Sequence, residues 1–274
     1  MSLTINSNIA ATRASKYLAS NHQNLQKSLD RLSSGKRITE PADDAGGLAV
    51  SMKLENEINQ LEGAANNLAN AISFLQVQDG VFETIGNIVM RMGELYSMSQ
   101  DVLQDGSTIY DSEVVDLAAQ LAAYATADNT TFNDVDVMIG TALTIQAGGQ
   151  SIDISRSANG AALVTQLTST ADFTAVTTAA GIGVTNGVTN VNTVLDNIAA
   201  LRAANGGEAN RLMYAQENVA TQITNLTAAN GRIVDVDIAA ESANLAKQQI
   251  LVQASASMVA QANSANNVAL TLLQ

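Results

Sequence analysis

The sequence predicts a mainly α protein: a long antiparallel helical coiled-coil bundle formed by the N- and C-terminal segments, with a small β-hairpin region in the middle. In both terminal thirds of the 274 residues, apolar side chains recur at steps of three, four and seven, the spacing of a helix face that packs on another helix. A single proline and the lack of cysteine leave few helix breakers and no disulfides. Seven glycines between residues 140 and 187 mark a middle region of different character.

The first predicted helix runs from about Ile5 to Ser34 and carries a leucine stripe. Three leucines are spaced by seven, and one more follows the second after four residues: Leu18, Leu25, Leu32 and Leu29. Gly35 is expected to end the helix, because glycine adopts the left-handed conformation of helix C-termini without strain.

The second predicted helix extends from Asp44 to Gln100, beyond the only proline, Pro41. Asp43 and Asp44 are predicted to cap its first turn, where carboxylates accept hydrogen bonds from free N–H groups. Its apolar positions step by three and four: Leu61, Ala65, Leu68, Ile72 and Leu75, followed by Phe82, Ile85, Val89, Met92 and Tyr96. At 1.5 Å per residue, such a helix spans about 80 Å.

Two helices are predicted in the C-terminal third. One covers Val191 to Asn230, with an interruption near Asn205-Gly206-Gly207, and the other carries a seven-residue grid that breaks at Asn266. The members of that grid are Ile238, Leu245, Val252, Val259 and Leu273. Both ends of the chain therefore carry heptads.

The middle of the chain is predicted to be less regular. A short helix is expected from Glu113 to Ala127, on an apolar face of helical periodicity. Alternating apolar and polar residues at 142–146 and 150–154, on either side of two glycines, predict a β-hairpin. Residues 157–190 are weakly patterned and are predicted to be irregular.

The charge of the chain is strongly acidic. Thirteen basic and 26 acidic residues give a formal charge of -13, which excludes a nucleic-acid binder with a basic face. The N-terminus has neither a basic region nor an apolar run, so no cleavable signal peptide is expected. Residues 248–274 are uncharged but contain scattered Asn, Gln and Ser, so no membrane span is expected.

No cluster of residues predicts catalysis or metal binding. His22 is the only histidine and lies within the first leucine stripe, so a structural position is expected for it. Gly181-Ile182-Gly183 lacks the third glycine and the following acid of a dinucleotide-binding loop. Asp235 and Asp237 are expected to be helix-capping and hinge carboxylates. We therefore expect no catalytic, cofactor-binding or metal-ligating residue, and a protein that is not an enzyme.

Two segments at opposite ends of the chain resemble the terminal signatures of bacterial flagellins. The first is RLSSGKRITEPADDAGGLAVS, from Arg31 to Ser51. The second runs from Gly231 to Gln274 and includes an Ile-Leu-x-Gln-Ala run at Ile250–Ala254. The resembling regions cover roughly residues 1–110 and 190–274.

The resemblance implies a structural subunit that polymerises into the flagellar filament for swimming motility. Residues 1–43 and 236–274 would form a discontinuous axial core domain, and residues 44–190 and 191–235 the rod domain, with no large outer domain. Export without a cleavable signal peptide is implied, as is an extracellular place in the filament. The implied partners are other flagellin subunits, the export apparatus with its chaperone, the filament cap and the hook-associated proteins, with no cofactor and no nucleic acid.

The stripes and the resemblance together assign roles to named residues. Axial-core packing is expected for Leu18, Leu25, Leu29, Leu32, Leu245, Val252, Val259 and Leu273. Rod-domain packing is expected for Leu61, Leu68, Ile72, Leu75, Val219, Ile223 and Leu226. Arg91, Glu94 and Leu95 match in part the patch by which some flagellins engage the vertebrate innate receptor, and simple coverage of the rod is the alternative role. Because a lone arm cannot bury its stripe, the terminal helices are expected to be largely disordered in a free monomer.

Three alternatives stay open at this point. A hook-filament junction protein has flagellin-like termini but caps a structure rather than propagating it. A secreted coiled-coil protein that does not polymerise would share the heptads. An enzyme carried on coiled-coil arms would need a catalytic cluster in residues 102–190, where Arg156 is the only basic residue.

Overall fold

A computed structural model describes residues 8–99, 110–124, 130–138, 143–147, 150–154 and 187–271. The helices in these ranges are α1 (Ile9–Ser34), α2 (Ala45–Ser99), α3 (Asp111–Tyr124), α4 (Gly187–Val234) and α5 (Ile238–Thr271). The strands are β1 (Thr131–Phe132), β2 (Val135–Asp136), β3 (Leu143–Ala147) and β4 (Gln150–Ile154). Terminal helices that pack antiparallel and a small strand region in the middle confirm the predicted fold class.

The ends of α1 follow from local hydrogen bonding and backbone geometry. The side-chain Oδ1 of Asn8 accepts a hydrogen bond from the amide of Ala11 at 2.9 Å, which caps the first turn. At the other end, Gly35 has φ of +68°, the left-handed conformation predicted for it. Residues 1–7, where the predicted start at Ile5 falls, lie outside the described residues.

Helix α4 runs without a break from Gly187 to Val234, so the predicted interruption at Asn205-Gly206-Gly207 is wrong. A glycine inside a helix costs about 1 kcal/mol relative to alanine, but tertiary contacts on both sides outweigh this cost. Leu201 and Leu212 are buried, and Asn205 donates a hydrogen bond from Nδ2 to the Leu75 carbonyl at 2.8 Å.

Other predicted boundaries shift by a few residues. Helix α3 begins at Asp111, two residues before the predicted start at Glu113, and its predicted end at Ala127 lies outside the described residues. Residues 187–190, predicted to be irregular, form the first turn of α4, while the rest of that predicted segment lies outside the described residues. Helix α5 continues through Asn266 to Thr271, so only the apolar grid is broken there.

The middle of the chain contains two antiparallel hairpins. Strand β3 pairs with β4 in a register that runs from Leu143↔Ile154 to Ala147↔Gln150, and this confirms the predicted hairpin. The β1–β2 hairpin is not predicted above, because strands of two residues give no periodicity. Its turn residues Asn133 and Asp134 have φ of +51° and +62°, a region that Asn and Asp tolerate better than other side chains.

The chain divides into two compact units. The terminal unit comprises Met1–Ile58 with Thr224–Gln274, and the central unit comprises Asn59–Ile223. In the terminal unit, the segment after α1 pairs with the segment before α5 through backbone hydrogen bonds. The amide of Arg37 donates to the Val234 carbonyl at 2.6 Å, and the amide of Val236 donates to the Gly35 carbonyl at 3.0 Å.

The core of the central unit lies between α2, α3 and α4. Its buried members are Phe82, Ile85, Ile88, Val89, Met92, Leu95, Val114, Leu121, Met138, Val191, Val194, Ile198 and Leu201. The buried Gln78 of α2 donates from Nε2 to the Val137 carbonyl at 3.0 Å, which attaches the β1–β2 hairpin to the helix. Gly93 permits the close approach of α2 and α4, since a Cβ there would lie 3.1 Å from a methyl group of Val191.

Candidate assembly interface

Helices α1 and α5 meet along a seam whose residues follow a strict three-four spacing. On α1, the buried and half-buried positions of the seam are Ala11, Ala14, Leu18, Asn21, Leu25, Ser28 and Leu32. On α5, they are Glu241, Leu245, Gln248, Val252, Ser255, Val259 and Ala262. This spacing is the heptad pattern of a coiled coil.

Most of the residues predicted to pack in the axial core lie on this seam. Those on the seam are all half-buried: Leu18, Leu25, Leu32, Leu245, Val252 and Val259. Leu29 lies off the seam and is 48% exposed, and Leu273 falls outside the described residues. The pairing of α1 with α5 therefore covers most, but not all, of the surface of these seam residues.

Polar side chains, which the apolar stripes do not predict, occupy the seam between the leucines. Asn21 donates from Nδ2 to the hydroxyl of Ser255 at 3.4 Å, and Asn8 donates from Nδ2 to the Ala262 carbonyl at 2.9 Å. Asn21 lies three residues after one stripe leucine and four before the next. That position alone would have placed it on the seam.

Large apolar side chains lie on the outer faces of α1 and α5, away from the seam. They are between 37% and 66% exposed: Ile9, Tyr17, Leu29, Ile238, Ile250, Leu251 and Met258. A soluble monomer rarely exposes so many large apolar side chains on one pair of helices, and such surfaces mark sites of protein interaction.

Charged side chains join the end of α1, the start of α2 and the start of α5. Asp43 is almost fully buried and forms an ion pair with Lys27, and its second oxygen lies 3.7 Å from an Arg31 nitrogen. The same guanidinium lies 4.0 Å from Glu241. The hydrogen bond from Lys27, together with one from the Thr39 amide, lowers the pKa of Asp43 from 3.8 to about 2, although burial opposes this.

Of the two aspartates predicted to cap α2, only one does so. Asp44 caps the helix, because its Oδ1 accepts a hydrogen bond from the Gly47 amide at 2.8 Å. The prediction for Asp43 is wrong, because its carboxylate accepts hydrogen bonds from Thr39 and binds cations instead. Asp237 caps α5 as predicted, with its Oδ1 accepting from two first-turn amides at 2.9 and 3.1 Å.

The two remaining candidate residues, His22 and Asp235, both belong to the terminal unit. His22 is exposed on α1, and Asp235 forms an isolated antiparallel β-bridge with Lys36. Across the described ranges, no group of three or more His, Cys, Asp or Glu side chains could hold a metal ion. In the same ranges, no helix has the length and apolar character needed to cross a membrane.

The net charge of the chain belongs entirely to the central unit. The terminal unit contains nine basic and nine acidic residues, whereas the central unit contains four basic and seventeen acidic residues. Terminal units of different copies could therefore pack together without accumulating net charge.

The residues predicted to pack in the rod are buried to different degrees. Leu61, Leu68, Leu75 and Val219 are buried, and Ile72, Ile223 and Leu226 are half-buried.

The three residues of the predicted innate-receptor patch do not form one exposed surface. Arg91 binds Glu113 at 2.8 Å and Glu94 at 3.0 Å, and these hydrogen bonds raise the pKa of Arg91. Arg91 and Glu94 are exposed, whereas Leu95 is fully buried in the core of the central unit.

Antiparallel terminal helices with apolar outer faces are typical of structural subunits that assemble with other chains. Two family models match: the bacterial flagellin N-terminal helical region over residues 5–140, and the C-terminal helical region over residues 188–273. The flagellar filament 33 kDa core protein of Treponema phagedenis is 31% identical, over 99% of this chain and 100% of that protein. The flagellins of Halalkalibacterium halodurans and Bacillus subtilis are 32% and 33% identical, with the same coverage. The chain belongs to the bacterial flagellins and is a structural subunit of the extracellular flagellar filament.

Proposed function

We propose that the chain polymerises through the arms, α1 and α5, and that the arms become fully ordered only when other copies cover them. The exposed apolar outer faces of the two helices carry this proposal. Covering one such side chain stabilises the assembly by about 1.5–3 kcal/mol, whereas fixing each backbone residue costs about 1–2 kcal/mol. Contacts between copies must supply the difference, so folding of the arms and polymerisation are one event.

The proposed domain assignment follows from the same contacts. Residues 1–43 with 236–274 form the axial core, and residues 44–235 form the rod domain. The charge of this axial core supports the assignment: its seven basic and five acidic residues leave a net charge of only +2, so little repulsion builds up where many arms meet.

The proposal is tested by removing apolar surface from the outer face of α5. The double variant Ile250→Ser with Met258→Ser leaves the seam intact, because both side chains point away from it and are more than 60% exposed. We expect its critical concentration for seeded polymerisation to rise at least about tenfold per side chain, since about 1.4 kcal/mol is a factor of ten. Sedimentation and electron microscopy measure the polymer.

The matched control replaces two exposed polar residues of the same helix, Gln249→Ser with Gln261→Ser. This control should polymerise like the unsubstituted chain. Equal critical concentrations for the apolar and the polar variants would refute assembly through the outer faces.

We propose that the chain passes through the flagellar export apparatus before it assembles, and that a chaperone covers the arms until then. Assembly follows at the filament cap and beside hook-associated proteins. The lack of cysteine supports passage of an unfolded chain, since no disulfide can form before export. Secretion should stop when the export apparatus is inactivated. Secretion that continues without the apparatus would contradict this route.

The relatives reported above support a filament subunit over a hook-filament junction protein or a coiled-coil protein that does not polymerise. They are a filament core protein and two flagellins. A filament subunit should be the main protein of sheared filaments, whereas a junction protein would be a trace component. Flagellins are a structural family, and we propose no enzymatic activity.

Recognition by the vertebrate innate receptor stays a proposal that rests on Arg91 and Glu94, because Leu95 is buried. A receptor-reporter assay should show a weaker signal for Arg91→Ala than for the unsubstituted protein. Arg202→Ala is the matched control, because Arg202 is also exposed and paired with carboxylates in the central unit. Equal signals for the Arg91 variant and the unsubstituted protein would exclude a role for Arg91.

A further inference from the structure

We infer that a knob on α4, formed by Arg211, Met213 and Tyr214, docks into a pocket between α2 and the two hairpins of a neighbouring copy of this chain. The knob and the pocket both belong to the central unit. The inference rests on the self-assembly proposed above and adds a contact outside the arms.

The knob is a strongly exposed apolar surface on an otherwise acidic unit. Tyr214 is 74% exposed and the adjacent Met213 is 56% exposed, and Tyr214 is the most exposed large apolar side chain among the described residues. Tyrosine and methionine are enriched at the centres of protein interfaces, because they bury much apolar area. Their exposure shows that the chain's own pocket does not hold them.

The pocket has a volume of about 320 Å³, which lies at the small end of cavities that hold a ligand, about 300–1,000 Å³. Its apolar lining includes Phe74, Phe132 and Ile154, and its polar lining includes Asn70 and Asn133. Phe74 and Phe132 meet edge to face, with ring centroids 6.1 Å apart. A tyrosine ring can extend this arrangement, while the amides offer hydrogen-bond partners to its hydroxyl.

Charge complementarity favours a second copy as the occupant. Arg91 and Arg202 are paired with carboxylates, whereas the Arg211 guanidinium binds a backbone carbonyl, that of Asp153, at 3.0 Å and has no carboxylate within 4.0 Å among the described residues. Asp134 is exposed beside the pocket residue Asn133. Arg211 of the knob therefore meets the Asp134 carboxylate when the knob enters the pocket of another copy.

The contact joins two different surfaces of the same chain. A contact of this kind is head-to-tail, and repeating it generates an open helical array unless the rotation closes a ring. The proposed geometry is thus the one that a filament requires.

The lack of cysteine allows a direct test by cross-linking. One protein carries Asn210→Cys, an exposed position one turn before Tyr214, and a second carries Asn70→Cys, so that the knob itself stays intact. The two are mixed in equal amounts, polymerised on seeds and treated with a short bis-maleimide. We expect a cross-linked dimer in the filaments and none in the unpolymerised mixture. Each chain has one thiol, so a link within a chain cannot form. Thr221→Cys, exposed two turns along α4 from the knob, replaces Asn210→Cys as the control and should give at least tenfold less dimer.

Two tyrosine variants test the same contact without cysteine. Tyr214→Ala should raise the critical concentration about tenfold, and Tyr214→Phe should restore most of the loss, because the ring fills the pocket. Filaments that form from the cysteine mixture without a cross-link between positions 210 and 70 would overturn the docking while leaving polymerisation intact. Failure of the unsubstituted chain to form any filament would instead overturn the proposed function.

Discussion

Lys27 of α1 and Asp43, which lies just before α2, form an ion pair in which the Asp43 side chain is almost fully buried. Arg31, one turn beyond Lys27, extends this contact from Asp43 to Glu241 at the start of α5. The resulting network connects three separate pieces of the terminal unit with two cations and two carboxylates. The hydrogen bond from Lys27 favours the ionised form of Asp43 and lowers the pKa of its carboxyl group.

The first prediction concerns the pH dependence of this network. The pKa of Asp43 is lowered to about 2 in the folded protein, so its ionised form stabilises the fold fully above about pH 4, the unfolded value. That stabilisation is lost as the pH falls from about 4 through 2. Asp43→Asn should therefore lower the melting temperature of filaments at pH 7, as followed by circular dichroism.

The same comparison at low pH provides the control. At about pH 2, the pKa of Asp43 in the folded protein, half of the Asp43 side chains are protonated, so the difference between the melting temperatures of the two proteins should shrink as the pH falls from about 4 to 2. A difference that stays constant from pH 7 to pH 2 would contradict the assigned role of the Asp43 charge.

The second prediction compares two glycines of α2. A Cβ at Gly47 would lie 2.5 Å from the Asp44 carboxylate and 2.9 Å from a methyl group of Ile38. Gly47→Ala should destabilise the fold by about 1–3 kcal/mol, because the carboxylate that caps the helix would be displaced. Gly63→Ala should instead stabilise by about 0.5–1 kcal/mol, since a Cβ there meets nothing within 4 Å. Opposite signs in thermal denaturation are the expected result.

The third prediction compares a buried amide with an exposed ion pair on α4. Asn205 is 6% exposed and donates to the Leu75 carbonyl at 2.8 Å, so Asn205→Ala should cost about 1–3 kcal/mol through a lost hydrogen bond and a small cavity. Arg202 binds Asp79 and Glu83 but is half exposed, so solvent screens these pairs and Arg202→Ala should cost less. Chemical denaturation should rank the two variants in this order, and the reverse order would contradict the argument.

Periodicity predicts helices and seams well, because burial on one face repeats every three or four residues. Their spacing predicts a packed face for Leu18, Leu25 and Leu32, and these residues lie on the seam. Leu29 carries the same signal but lies off the seam. A single sequence cannot separate a face that packs within the chain from a face that packs on another copy, since both are apolar.

Features that involve a single contact between residues far apart in the chain are not predicted by the sequence pattern. Helix α4 continues through Gly206, and the neighbouring Asn205 donates a hydrogen bond to the carbonyl of Leu75, a residue far away in the sequence. Asp43 and Asp44 are equivalent candidates for the helix cap in the sequence. In the structure Asp43 forms an ion pair with Lys27, whereas Asp44 caps the helix. The β1–β2 hairpin is too short to show alternation.

The last prediction follows from the uneven charge of the two units. The central unit has seventeen acidic and four basic residues, so neighbouring central units repel one another as they approach. Salt screens this repulsion, since the Debye length falls from about 10 Å at 0.1 M to about 3 Å at 1 M. The rate of seeded polymerisation, followed by light scattering, should therefore rise with the concentration of sodium chloride.

The double variant Asp116→Asn with Asp196→Asn removes two charges that are not buried. It should polymerise faster than the unsubstituted chain at low salt, and its rate should rise less steeply as salt is added. Equal salt responses would mean that apolar association, which salt also strengthens, outweighs the charge of the central unit.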